Sequence, residues 1–220
     1  MNSKHFARLG LATALALVMA PSAFAAGTDA GTNITNTASV AYDVGGIPQP
    51  PEGSTTDDFE VDRRILFTVA ATDGAESVAP GAQNQALTYV IQNDTNDTVD
   101  FYLSVEELTG DDFDGVDGGS AAQFYLDDGD GIFNGADTLL PTSPLGKPYL
   151  AGVPEYNGVA GNLRVVHVVY DIDTGLANGD TADVYLVADA TSDAANDSAI
   201  FTESATDGVL VVDTVLGDAD

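Results

Sequence analysis

From residue 34 onward, apolar and polar positions alternate along much of the chain. In ITNTASVAYDV, residues 34–44, one face reads Ile34, Asn36, Ala38, Val40, Tyr42 and Val44, and the other Thr35, Thr37, Ser39, Ala41 and Asp43. A period of two with β-branched residues is the pattern of a strand. The same criteria predict strands over FEVDRRILFTVAA (59–71), ALTYVIQN (86–93), TVDFYLSVEEL (98–108), AQFYL (122–126), NLRVVHVVYDI (162–172), ADVYLVADA (182–190), AIFTES (199–204) and GVLVVDTVL (208–216). Clusters rich in Gly, Asp and Asn, such as NDTNDT and DTGLANGD, supply the turns. No segment past the first 26 residues carries a helical period. The pattern predicts an all-β fold, an antiparallel β-sandwich.

The chain divides into three segments. GGIPQPPEGSTTDD, residues 45–58, is a Gly/Pro-rich connector that sets the strand 34–44 apart, so 27–58 reads as N-terminal strand plus connector and 59–220 as the sandwich. At the start, MNSKHFARLG carries Lys4 and Arg8, LATALALVMA is apolar, and PSAFAA places Ala23 and Ala25 at the small positions of a cleavage site. Residues 1–26 therefore read as a signal peptide cleaved after Ala25 or Ala26. Pro21 ends the apolar run well short of bilayer-spanning length, and no later run approaches it. The expected location is secreted, extracellular or on the outer cell surface, with no direct insertion into a membrane.

Charge narrows the partners. The chain has 6 basic and 35 acidic residues, a net charge of −29. Cleavage would remove Lys4 and Arg8 and no acidic residue, leaving Arg63, Arg64, Lys147 and Arg164 against 35 carboxylates, a net charge near −31. Nucleic acid and anionic membrane both need basic patches, so neither is an expected partner. Self-association or other surface proteins remain. Without any cysteine, the fold must hold together with no disulfide.

The most concentrated chemistry is FYLDDGDGIFNGADTLL, residues 124–140. The calcium-loop pattern D-x-[DN]-x-[DN]-G-x5-[E/D] can be laid on it, with Asp128 third, Asp130 fifth, Gly131 sixth and Asp137 twelfth. Ile132 would offer its carbonyl, and Leu126 occupies the first position, a vacancy that Asp127 or Asn134 could fill. Calcium takes six to eight oxygens at flexible distances, which carboxylates, carbonyls and glycines can wrap around it. The competing reading is a solvated Asp/Gly turn. GDDFDGVDGG, residues 110–119, is a second acidic loop with Asp111, Asp112, Asp114 and Asp117, and fits no complete pattern.

Other motifs carry less. DTG at 173–175 follows an apolar run as in aspartic proteases, but a second DTG is missing, since VVDTVL has Val215 in place of glycine. His167, the one histidine left after cleavage, has neither cysteine nor second histidine to join in a zinc site or a nucleophile pair, and reads as a satisfied strand histidine. The absence of Trp speaks against a sugar-cleaving cleft. An enzyme is not expected.

AGTDAGTNITNTASVAYDVGG, PGAQNQALTYVIQNDTNDTVDFYLSV and FYLDDGDGIFNGADTLL together resemble bacterial exported proteins with a "conserved repeat" immunoglobulin-like domain of unknown function. The resemblance implies an extracellular immunoglobulin-like β-sandwich with long acidic loops and a surface or matrix role, and names no reaction. The expected function is a calcium-stabilised structural protein of the cell surface or extracellular matrix. Strand 34–44 either docks in its own sandwich or is donated to a neighbour, building a filament, with Ile34, Ala38, Val40, Tyr42 and Val44 filling alternate pockets. The alternative is an adhesin or carbohydrate-binding module acting through calcium-loaded acidic loops.

Overall fold

The structure, a computed structural model, describes residues 27–53, 56–107, 122–156, 161–205, 208 and 210–216. Six short strands come first: β1 (Asn33–Asn36), β2 (Ser39–Val40), β3 (Asp43–Val44), β4 (Ile47–Pro48), β5 (Glu52–Gly53) and β6 (Asp57–Glu60). The body follows with β7 (Arg63–Ile65), β8 (Phe67–Ala71), β9 (Gln85–Asn93), β10 (Val99–Glu107), β11 (Gln123–Leu126), β12 (Thr138–Leu139), β13 (Tyr149–Val153), β14 (Leu163–Tyr170), β15 (Val184–Thr191) and β16 (Thr214–Leu216). Among the described residues there is no α-helix, only one 3-10 turn at Ala194–Asn196. The chain is all-β, and its pairings are antiparallel except for β16 beside β7.

Two sheets make the body. Five strands run in the order β12-β11-β14-β9-β8, and three in the order β13-β10-β15. Alternation turns one face of each toward a shared core. Tyr89, Ile91, Phe124, Val166 and Val168 enter it from the larger sheet, and Phe101, Leu103, Leu150, Val153 and Leu186 from the smaller. Phe67 and Phe101 meet edge to face at 4.9 Å between the two sheets. Each such fully buried side chain contributes about 1.5–3 kcal/mol by leaving water.

β14 departs from simple alternation. Val166, Val168 and Tyr170 face the core, yet His167 and Val169 on the opposite face are buried as well. A sheet face buried outside the core needs a cover of its own. That cover is the acidic loop.

The N-terminal segment differs from the sequence reading. Residues 34–44 do not form one continuous strand, and 45–58 is not a linker or crossover. The connector instead returns along the strand as the second arm of a hairpin: β1 pairs with β6, β2 with β5 and β3 with β4. The physical reason lies at the turn, where Gly45 and Gly46 have φ of 62° and 81°. Two successive positive φ values make the tight turn whose twist matches a two-stranded ribbon. The prolines at 50 and 51, which argued for a linker, sit in the irregular stretch between β4 and β5. The root of the hairpin is pinned to the body. Ala30 N–H donates to the Asn96 carbonyl at 2.9 Å, and Asn96 Nδ2 donates to the carbonyls of Thr28 and Asp62. Arg63 Nε meets Asp97 Oδ2 at 2.7 Å.

Smaller differences follow from hydrogen bonding. The predicted strand 199–204 makes one bridge, Ile200 to Thr191, because the turn at 194–197 brings it back against the end of β15. The predicted strand 208–216 is reduced to Thr214–Leu216. β12 and β13 were not predicted. Each is short, and β13 contains Gly152 at φ 61° and follows Pro148, signals that argue against a strand.

Candidate metal centre on the outer face of the larger sheet

The site begins with register. In the ladder, His167 lies opposite Tyr125 of β11 on one side and Thr88 of β9 on the other. All three project from the outer face. β11 ends at Leu126, and the loop 127–137 folds back over this row before β12 resumes pairing. Phe133 closes the cover, standing edge-on to Tyr125 at 5.1 Å and to His167 at 5.8 Å.

Under that cover His167 is fully buried, with Nε2 3.2 Å from Asp127 Oδ1 and Nδ1 3.2 Å from Thr88 Oγ1. The Asp127 side chain is only 4% exposed. Burial pushes the Asp127 carboxyl up, but hydrogen bonds from His167, Gly129 N–H and Gly131 N–H outweigh it and hold the group below the ordinary aspartate value. An ionised Asp127 places the imidazole proton on Nε2, and Nδ1 then takes the Thr88 hydroxyl hydrogen. The strand histidine is satisfied at both nitrogens, as its lack of ligand partners suggested. Its role as the floor of the acidic loop was not legible, because Asp127 is forty residues distant in sequence.

The loop is organised by its own carboxylates. Asp127 accepts the N–H of Gly129 at 2.8 Å and of Gly131 at 2.9 Å. Those glycines adopt φ of 112° and 75°, conformations that other residues rarely adopt, which turn the amides inward. Asp137, with a fully buried side chain, accepts from Asp128 N–H at 3.1 Å and Asn134 N–H at 2.7 Å. Asp130 accepts Ile132 N–H at 2.8 Å and Asn134 Nδ2 at 3.1 Å. Asn134 Nδ2 also donates to the Ile132 carbonyl, the atom expected to face an ion.

Two triads result, sharing Asp127, one of two carboxylates and an imidazole and one of three carboxylates. The inner one joins Asp127, Asp137 and His167, and the outer one joins Asp127, Asp128 and Asp130. The calcium pattern put Asp128, Asp130 and Asp137 in one coordination sphere. In the fold, Asp137 belongs to the inner triad, where its oxygens already accept backbone N–H groups. Asp127, which could only be offered as a substitute for Leu126, is the member common to both. The outer triad is made of oxygen donors alone, with Asp128 and Asp130 exposed to water, a donor set that suits a hard cation such as calcium. The second acidic loop, with Asp111, Asp112, Asp114 and Asp117, lies outside the described residues.

The remaining candidates resolve into structure. In the DTG, Asp173 Oδ1 accepts Gly175 N–H at 2.8 Å, a local turn. Thr88 and Phe133 are the members of the site that sequence reasoning missed. Phe133 carried a weak signal as the one aromatic residue inside an Asp/Gly loop. The chain matches no family model, no curated protein and no solved structure.

Proposed function

We propose that this is an exported structural protein of the cell surface or extracellular matrix, an immunoglobulin-like β-sandwich braced by calcium, whose N-terminal hairpin joins copies to one another. One observation carries the reading. The hairpin holds Val40, Tyr42, Val44 and Ile47 in water, at 60, 45, 59 and 66% exposure. A two-stranded ribbon is marginally stable alone, and an apolar row along it stabilises nothing in a monomer. The pairing of 33–44 with its own return arm makes the whole hairpin, rather than a lone donated strand, the element of assembly. Calcium at Asp127, Asp128 and Asp130 would add positive charge to a strongly acidic chain and lower the repulsion between copies.

Sedimentation of the chain lacking residues 1–26, over rising concentration with calcium or with chelator, tests the proposal. Large species that grow with calcium support it; a monomer under every condition overturns it. The exposure of Asp128 and Asp130 also favours a second reading, a carbohydrate-binding module in which sugar hydroxyls complete the calcium shell. A persistent monomer that binds glycans only with calcium would select that one.

A further inference from the structure

Between the root of the hairpin and the body lies a cavity of about 1020 Å³, lined chiefly by Ile34, Phe59, Val61, Leu66, Tyr156 and Arg64. We infer that this groove is the receptor for the hairpin tip of a second copy, so that the chain carries both halves of one interface. The inference rests on the proposed assembly and names its contact.

Three features argue for it. The first is chemical likeness: the tip is an apolar knob, Val44 directly opposite Ile47 across the Gly45–Gly46 turn, and the groove is largely apolar. Residues directly opposite in an antiparallel pair project from the same face, so both side chains enter a groove together. The second is size, since an open groove of about 1020 Å³ has room for the paired side chains of a hairpin tip.

The third is charge. Arg63 is committed to Asp97, but the Arg64 guanidinium, whose backbone N–H donates to Asn96 Oδ1 at 2.7 Å, itself donates only to the Asp94 carbonyl at 3.3 Å and meets no carboxylate among the described residues. Asp94, which also lines the groove, has its carboxylate taken by the side-chain amides of Gln92 and Asn162. The tip brings Asp43, on the face opposite Val44 and Ile47, and the return arm brings Glu52, which pairs with Val40 farther from the turn; both are exposed. Arg64 is thus a cation awaiting an anion, in a chain with 35 acidic residues. Tip and groove occupy opposite ends of the hairpin, so the contact is heterologous and does not close on itself.

Two variants of the chain lacking residues 1–26 test this. Ile47→Asp spoils the tip and Arg64→Glu spoils the groove, each at an exposed position. Each variant alone should sediment as a monomer at concentrations tenfold above those at which the parent assembles. Mixed, they retain one good tip and one good groove, and should give 1:1 dimers and nothing longer. Asp43→Arg in the Arg64→Glu chain should restore growth. Circular dichroism melting checks that the variants are folded, with Val44→Asp as the substitute tip variant. If the parent assembles and both variants assemble equally well, the tip-and-groove contact is wrong and the assembly reading stands. If the parent never assembles, both are wrong.

Discussion

The acidic loop and the N-terminal hairpin both lie outside the shared core, and they are held in opposite ways. Loop 127–137 satisfies itself: its aspartates accept its own backbone N–H groups, and Asp127 is anchored on His167 in the sheet below. The hairpin has a complete turn and a pinned root, but along its distal half it gains only the sparse ladder between its arms. One region is polar with its carboxylates bonded, the other apolar with its side chains exposed. The contrast lies in burial and not in composition. Four carboxylates in eleven residues are stabilised locally, whereas four ordinary apolar side chains stay about half exposed.

The sharpest way to break the comparison is to take the floor from the loop. His167→Ala would leave the buried Asp127 carboxylate without its hydrogen-bond donor and open a cavity beneath the loop, together costing roughly 3 kcal/mol or more. Denaturant unfolding should show a large fall in midpoint. A fall of a few tenths would mean that the loop does not depend on the sheet beneath it. Calcium should act in the other direction, at the exposed rim. At a concentration 100-fold above its dissociation constant it should stabilise the chain by about 2.7 kcal/mol. Thermal melts with calcium and with chelator read this, and superimposed melts without a heat of binding would remove the metal.

The smallest effect expected is a pH dependence centred on Asp127. Its carboxyl titrates below the ordinary value of 3.8 in the folded chain, because the His167 and glycine hydrogen bonds overcome the cost of burial. In that window the unfolded chain binds the extra proton, so stability rises with pH. The contribution is complete above the ordinary aspartate value and is lost as pH falls through the lower folded one. Melting temperatures of the parent and Asp127→Asn should therefore differ at neutral pH and converge in acid. Parallel curves down to pH 2 would contradict the assignment.

Much of this was legible in the chain. The apolar and β-branched runs located β9, β10, β11, β14 and β15 to within a residue or two, because each buries a full face in the core, and β14 buries part of its other face as well. Asp127, Asp128, Asp130, Ile132, Asn134 and Asp137 were legible as one acidic loop between strands, since Asp and Gly at close spacing interrupt the alternation. Which aspartates converge was not legible: that depends on how far the loop leans on His167, a contact set by sheet register. The hairpin was misread for a similar reason. Prolines 50 and 51 signal a break, and Gly45 and Gly46, which reverse the chain, stand in the same Gly/Pro-rich run.

The central claim is that the hairpin serves a second copy and not the fold that carries it. Gly31 N–H donates to the Val61 carbonyl and Val61 N–H to the Thr32 carbonyl at 2.8 and 2.9 Å, so the two ends of the hairpin are already in contact. Residues 33–60 can therefore be replaced by a short glycine turn without stretching the chain. This shortened chain should melt within a few degrees of the parent and sediment as a monomer at every concentration, with calcium present. Loss of the folded state, or assembly as efficient as the parent's, would contradict that claim.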